Sequence, residues 1–294
     1  MRFFSHPLVK RRIEAARKGW YKFSKNPVSL VGLSVIVLIL ILAIFAPYVA
    51  PNPEHAGRYV NFAESNQPPS LHHWFGTDTF GRDILSRVFF GFRYSLIMGL
   101  VVLAIATPIG VVLGLLAGYY RNRWIGTLIM RITDIFLAVP PLILALVVCS
   151  ILTPSLFNAM MAVTLVWWPW YCRLVYGLAS SYRGEFFVQA AEVTGATKAH
   201  ILFREILPNC VSSIFTKMSL DMGWVILIGA SLSYVGLGAQ PPTPDLGTMV
   251  ADGAKYLPAQ WWIAIFPALA IMLTVLGFNL IGDGFRDLFA LEEV

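Results

Sequence analysis

The feature that constrains this chain most is a run of 38 consecutive uncharged residues, from Ile135 to Cys172. A helix crosses the hydrocarbon core of a bilayer with about 20 apolar residues. As one helix this run would measure about 57 Å, which is too long for one crossing. Thr153-Pro154-Ser155 interrupts the run, so the sequence predicts two membrane spans joined by a short turn.

The composition agrees with a membrane protein. Of all residues 57% are apolar and 13% are charged, whereas an average soluble domain is about 45–50% apolar and about 25% charged. A disordered chain, a collagen-like fibre and a typical soluble enzyme are therefore excluded. The three cysteines, Cys149, Cys172 and Cys210, lie in or beside apolar stretches and form no CxxC pair. Neither a disulfide framework nor a cysteine metal site is expected.

Hydropathy predicts six transmembrane helices and an all-α polytopic fold. The predicted spans cover about 28–49, 94–119, 124 to the break at 153–155, that break to 173, 209–238, and 261–282. No alternating ten-residue strand pattern appears. Prolines rather than a small-residue cleavage site follow the first span, so it is expected to remain uncleaved.

The basic residues predict the orientation in the membrane. Eight of the 22 Lys and Arg residues precede Pro27, where they favour a cytoplasmic membrane anchor and not nucleic-acid binding. With six spans, 14 basic residues fall on the side of the termini and five on the other side, and the remaining three, Arg131, Arg173 and Lys217, lie near the membrane edges and are not counted. Both termini are therefore predicted to be cytoplasmic, with residues 51–93 outside.

Within the predicted spans, glycines and charges suggest packing. Gly110, Gly114 and Gly118 recur every four residues and favour close approach of another helix. Prolines at 108, 140, 141, 169 and 267 are expected to loosen or kink the spans. Two charge pairs lie within the predicted spans: Arg131 with Asp134 at i,i+3, and Lys217 with Asp221 at i,i+4. Local anchoring is favoured for both over a role in a translocation path.

Motifs for enzymatic chemistry are absent from the sequence. It contains no GxxxxGK[ST] phosphate loop, no HExxH, no GxSxG and no EF-hand loop. His72-His73 is the only histidine pair, and an interfacial position is favoured over a metal site. No catalytic residue, cofactor or metal is predicted.

A charged stretch at 185–209 is the most informative segment. Its pattern predicts two short helices divided at Gly195, which can adopt the positive φ of a helix end. The first helix carries Phe187, Ala190, Ala191 and Val193. Such a small-faced helix suits docking into a groove of another protein, and an interfacial helix on lipid is the alternative.

This stretch resembles the EAA loop of binding-protein-dependent ABC importer permeases. Ala190, Ala191, Gly195, Leu207 and Pro208 match the pattern at its spacing. Gln189 stands where the family has Glu, and Glu205 where it has Ile. Glu192 lies close to the position of the absent acid.

A second segment resembles the signature of the second permease subunit of dipeptide, oligopeptide and nickel importers. The matching residues are Gly76, Thr77, Asp78, Gly81, Arg82, Asp83, Ser86 and Arg87. Residues 232–244 and 279–287 are also typical of that subunit. The likeness runs from the first span to Asp287.

The residues of this segment also support a structural interpretation that does not depend on the resemblance. Asp78 with Arg82 and Asp83 with Arg87 are acid-before-base pairs at i,i+4. Phe80, Ile84 and Val88 share a face, which predicts an amphipathic surface helix capped by Thr77 or Asp78. It could receive the binding protein or only direct the chain into span two.

The resemblance implies a type I ABC importer permease in the plasma (inner) membrane, with peptides or related small solutes as cargo. Its implied partners are a second homologous permease, two ATP-binding subunits that hydrolyse ATP, an extracytoplasmic substrate-binding protein and membrane lipid. The expected division is a basic tail at 1–27, a first helix and outer segment at 28–93, the permease domain at 94–283 with its coupling loop at about 184–208, and a tail at 284–294. A self-contained secondary transporter or channel is the alternative.

Overall fold

The computed structural model describes Tyr21 and residues 23–289, with side chains as far as Arg286. Most of the predicted cytoplasmic tails therefore lies outside the described residues. The helices of eight residues or more, numbered here in chain order, are α1 Pro27–Ile44, α2 Ile84–Tyr119, α3 Trp124–Leu137, α4 Pro141–Ile151, α5 Leu156–Tyr182, α6 Phe186–Val193, α7 Lys198–Tyr234, α8 Leu246–Ala254 and α9 Trp262–Phe289.

The described chain is helical and contains no β-strand, only an isolated bridge between Thr77 and Asp83. Four helices, α1, α2, α7 and α9, are long and apolar enough to cross a membrane. The pair α3 and α4, bent by 87° at Pro140-Pro141, can form a fifth span. Helix α5 has 27 residues but is less apolar, because it carries Asn158, Arg173 and several tryptophans. These helices are approximately consistent with the six predicted spans of a polytopic all-α protein.

Three helices differ from the predicted bounds. Helix α2 starts at Ile84, not near Tyr94, and includes most of the predicted surface helix. Helix α7 starts at Lys198, not after Pro208, because a π-helical segment, Ile201–Ile206, joins Lys198 to the predicted span without a break. The predicted outer loop at 240–260 contains helix α8, whose Leu246 is fully buried. Tertiary burial extends all three elements beyond their apolar runs.

The predicted glycine face on α2 is confirmed. A Cβ at Gly114 would lie 2.6 Å from the carbonyl oxygen of Cys172, and one at Gly118 would lie 2.7 Å from Cβ of Ala179. Gly110 likewise faces the backbone of Trp168. Helices α2 and α5 therefore pack backbone to backbone, in the way that small residues allow inside a bilayer.

The apolar interior forms two clusters. One joins α2, α4, α5 and α7 and reaches the 186–206 segment through Val188 and Ile201. The other joins α1, the start of α2, α8 and α9 around Ile36, Ile84 and Trp262. The long helix α2 belongs to both clusters, so it connects the two ends of the molecule mechanically.

Candidate coupling and docking sites

The segment at 186–206 folds as two helices divided at Gly195, as predicted. Helix α6 ends in a Schellman motif, in which the Ala196 amide donates to the Ala191 carbonyl at 3.0 Å and the Gly195 amide to the Glu192 carbonyl at 3.1 Å. Gly195 has φ +80°, which favours glycine. Thr197 then caps the next helix by accepting from the His200 amide. The angle between the two helices is thus determined locally.

One face of α6 is attached to the C-terminal end of α2 by a polar cluster. The Tyr119 hydroxyl donates to Oε1 of Glu192 at 2.5 Å, and Nζ of Lys198 lies 3.2 Å from the same oxygen. Arg183 and Lys198 lie 5.2 and 5.3 Å from the centroid of the Tyr119 ring. The hydrogen bond from Tyr119, followed by that from Lys198, holds the pKa of Glu192 below its ordinary value. Val188 of α6 is fully buried on the same face and adds apolar contact with the bundle.

The opposite face of α6 is open. Phe186 and Val193 are 86% and 88% exposed, and Gln189 and Ala190 are exposed between them. Large apolar side chains in water are costly when they are grouped on one helix. Ala191 packs partly against the core, and Glu192 is bonded to Tyr119. The sequence predicts that Ala191, Glu192 and Thr194 lie closest to the docked protein. Ala191 and Glu192 instead contact the bundle, although the Glu192 side chain is still 40% exposed, and Thr194 is exposed.

Both departures from the EAA pattern have a local explanation. Nε2 of Gln189 donates to the carbonyl of Gly184 at 2.9 Å, a bond that an ionised glutamate could not make because it has no donor. Glu205 lies 3.3 Å from Nε2 of His200. The π-helical winding brings these i,i+5 side chains together.

At the opposite end of α2, the signature residues 76–87 form a buried loop and helix start, not an exposed amphipathic helix. Asp83 is the N-cap, accepting from the amide and hydroxyl of Ser86 at 2.8 and 2.7 Å. The predicted caps, Thr77 and Asp78, serve the loop instead. Thr77 bonds to the backbone at Glu64 and Gln67, and Asp78 bonds to the amides of Phe80 and Arg82.

The predicted ion pairs of this segment are half right. Asp78 and Arg82 pair at 2.7 Å, within a turn and not within a helix. Asp83 and Arg87 do not pair. Arg87 lies closest to Asp78, at 3.7 Å, and donates to the carbonyl of His55. Because the Asp83 carboxylate caps α2, it does not form the ion pair with Arg87 that the i,i+4 spacing predicts.

Glycines and histidines close this loop. Gly76 and Gly81 both have φ +74° and touch the backbones of Gln67 and Asn61. Nδ1 of His55 accepts from the Asp83 amide at 2.9 Å, while Nδ1 of His73 lies 3.0 Å from its Oδ1. Among the described residues no group of three or more His, Cys, Asp or Glu side chains is arranged to hold a metal ion.

The two intramembrane charge pairs have different outcomes. Lys217 and Asp221 pair at 3.1 Å, as predicted. The pairing of Arg131 with Asp134 is wrong, because Asp134 is paired with Arg173 of α5. Arg131 is exposed and has no ion pair within the described part of the chain. A partner 39 residues away cannot be deduced from i,i+3 spacing.

An apolar groove of about 700 Å³ runs between α4, α7 and α9. Leu146, Leu227 and Met272 represent its lining, and Ser231, Tyr234 and Asn279 supply its polar side chains. Helix α8 covers one end through Gly247 and Val250. No charged side chain lines this groove among the described residues.

Comparison with known families agrees with this geometry. The family described as the binding-protein-dependent transport system inner membrane component matches residues 110–291. The chain belongs to this family. The N-terminal transmembrane domain of oligopeptide transport permease C matches residues 16–69. The protein is therefore a multi-pass permease component of a binding-protein-dependent ABC importer, a transport subunit and not an enzyme.

Similar proteins cover nearly the whole chain. The probable D,D-dipeptide transport system permease DdpC of Escherichia coli K12 is 43% identical over 96% of this chain and 93% of its own. The dipeptide permease DppC of Alkalihalophilus pseudofirmus is 43% identical over 92% and 88% of the two chains. The glutathione permease GsiD of Pectobacterium atrosepticum is 40% identical over 92% and 89%.

Sequence reasoning missed Tyr119, Arg173 and His55 as members of these sites. Tyr119 ends an apolar span beside Tyr120, and such a pair is ordinary at a membrane interface. Only the packing of α6 against α2 distinguishes its role. His55 lies in a polar loop, and nothing in the sequence distinguishes it except that it is a histidine in the same segment as the His72-His73 pair.

Proposed function

We propose that this permease imports short peptides or closely related solutes, with energy from separate ATP-binding subunits that dock on α6. Its relatives include permeases named for D,D-dipeptide, dipeptide and glutathione transport, which supports a small peptide as cargo. The observation that carries the coupling proposal is the open apolar face of α6. Its other face is fastened to α2 by the Tyr119–Glu192 bond.

In this proposal α6 acts as a rigid lever. Movement of docked ATP-binding subunits displaces Phe186, Ala190 and Val193. The Tyr119–Glu192 bond transmits that displacement to α2, and the short connection through Gly195 transmits it to α7. Because α2 packs backbone to backbone on α5, these helices would move together. Gln189, Leu207 and Pro208 shape the segment and are not expected to bind nucleotide.

The proposed orientation places both termini and α6 in the cytoplasm. The supporting observation is the excess of basic residues on that side, 14 against five. In this proposal the chain divides as predicted, into a tail that ends at residue 27, a first helix and outer segment that end at 93, a permease domain that ends at 283 and contains the coupling loop at 184–208, and a second tail. Single cysteines replacing Ala63 and Ser181, both exposed, test it in a background without Cys149, Cys172 and Cys210. An impermeant thiol reagent added outside should label only the cysteine at 63.

We further propose that the groove between α4, α7 and α9 faces the second permease and lines the path of the cargo. An apolar wall with few polar groups lets a solute pass without tight binding. A cysteine at Met272, 53% exposed in the groove, should crosslink to the partner permease. The matched control is a cysteine at Leu38, 56% exposed on α1. Equal crosslinking at both positions would argue against this assignment.

The coupling proposal is tested by crosslinking in the assembled transporter. Cysteines at Ala190 and Val193 should crosslink to an ATP-binding subunit, with a yield that changes when ATP is trapped. A cysteine at Ala63, at the other end of the molecule, is the control. Crosslinks from 190 and 193 to lipid alone would exclude α6 as the docking helix. Uptake of labelled dipeptide, competed by glutathione, then tests the cargo class separately.

A further inference from the structure

A small cleft with charged side chains in its lining lies beside the signature loop, at the end of the molecule away from α6. Its volume is about 190 Å³, and it is enclosed by the 78–82 loop, the start of α2, residues 241–243 and helix α8. Arg82, Arg87, Asp78 and Asp252 supply its charged lining. We propose that this cleft binds a compact carboxylate group. The inference goes beyond the transport function, and its tests do not depend on transport.

The charge balance in the cleft favours an anion. The side chains of Arg82 and Arg87 are 11% and 5% exposed, and both face the single carboxylate of Asp78. Nε of Arg82 binds Oδ2 of Asp78 at 2.7 Å, whereas Nε of Arg87 lies 3.7 Å from the same oxygen and has no hydrogen-bond partner in the described chain. Buried cations are normally paired. Two guanidinium groups that share one carboxylate therefore leave a positive excess.

The other acid of the lining does not remove this excess. Asp252 lies 3.2 Å from Nζ of Lys255, at an exposed position. The group of five charges thus contains three cations and two anions. Guanidinium groups present planar donor pairs that match a carboxylate.

The remaining lining limits the size and shape of the ligand. The Phe80 ring lies 4.7 Å from the guanidinium carbon of Arg82 and holds it against the cleft. Ile84, Met249 and Ile263 provide an apolar wall, and Thr243 and Thr248 add hydroxyl groups. Pockets for drug-sized ligands measure about 300–1,000 Å³, so this cleft suits a carboxylate on a group the size of one amino acid. The carboxylate could belong to a free peptide or to an acidic side chain of a docked extracytoplasmic protein.

The experiment uses the assembled transporter in lipid nanodiscs and two probes. N-acetylglycinate is the carboxylate probe, and N-acetylglycinamide is its neutral counterpart, both followed by ligand-observed NMR. Binding is expected for the carboxylate and not for the amide. Arg82→Gln should weaken binding about tenfold, through loss of a charge-assisted bond. Asp252→Asn should strengthen it about threefold, through loss of a nearby negative charge.

Asp252→Asn keeps the test decisive if Arg82→Gln fails to assemble, because Asp252 is exposed and bonds only to Lys255 in the described chain. Arg93→Gln, at an exposed arginine one helix face away, is the matched control and should change nothing. A parallel measurement follows the affinity of the cognate binding protein for the same variants. Probe binding with this pattern supports a free carboxylate, and the pattern in binding-protein affinity alone supports a protein side chain. If neither measurement shows opposite effects of the two substitutions, the site does not exist.

Discussion

The bond between Tyr119 and Glu192 makes the coupling proposal quantitative. Tyr119→Phe removes one hydroxyl from a ring that is 2% exposed and leaves its packing intact. A hydrogen bond to a charged group contributes about 1.5–3 kcal/mol when buried. The Glu192 side chain is 40% exposed, so water replaces part of the lost bond. We expect a cost of about 1 kcal/mol, which corresponds to a roughly fivefold change in the equilibrium that detaches α6 from α2.

Hydrogen exchange at the end of α6 measures this equilibrium directly. The informative amides are those of Thr194, Gly195 and Ala196, whose bonds within the helix end open once α6 is detached, because an isolated helix of eight residues is unstable in water. Their exchange should be about fivefold faster in Tyr119→Phe and in Glu192→Gln. In the double variant the effects should not fully add, because Glu192→Gln removes the charge from the same bond that Tyr119→Phe removes altogether. Tyr120→Phe, beside it on the same helix, is the control and should leave exchange unchanged.

The pH dependence supplies an independent check. The pKa of Glu192 is lowered in the folded state from an ordinary 4.5, so the ionised form stabilises the attachment of α6. That contribution is fully present above pH about 4.5 and is lost as the pH falls through the lowered folded pKa. Glu192→Gln should remove the dependence. Additive effects in the double variant, or an acid dependence that survives in Glu192→Gln, would refute the proposed attachment.

Three further predictions concern other parts of the chain. Gly114→Ala should lower the free energy of unfolding of the purified protein by about 1–3 kcal/mol, since the new Cβ would lie 2.6 Å from the Cys172 carbonyl oxygen. Gly177→Ala, with nothing within 4 Å, should be neutral, and equal effects would contradict the close packing of α2 on α5. Gly195→Val should cost about 1–3 kcal/mol from φ +80° alone and weaken copurification of the ATP-binding subunits, with Gly195→Asn milder. Burial lowers the pKa of His55 from 6.5, opposed by Glu54, Asp83 and Glu64 and aided by His73. The stability of the loop that contains His55, followed by limited proteolysis, should therefore fall as the pH drops from about 6.5 toward the lowered folded pKa. His55→Asn, which keeps an acceptor for the Asp83 amide, should abolish that dependence.

The membrane class and its helical architecture follow from the sequence, because a bilayer accepts only long apolar helices or closed barrels. The glycine spacing at 110, 114 and 118 likewise predicts a close helix contact, since only the absence of a side chain permits it. The break at Gly195 is readable for the same reason. Each of these features depends on residues that are near one another in the chain.

The tertiary structure alone decides which charges meet across different elements. Asp134 pairs with Arg173 across two helices, and Asp78 lies between two arginines while Asp83 caps α2. It also decides where elements begin, because burial of 84–93 and 246–254 against other helices extends order beyond the apolar runs. Tyr119 shows the difference most clearly. Its sequence context predicts only an interfacial tyrosine, and its bond to Glu192, 73 residues away, exists only because α6 folds back onto the end of α2.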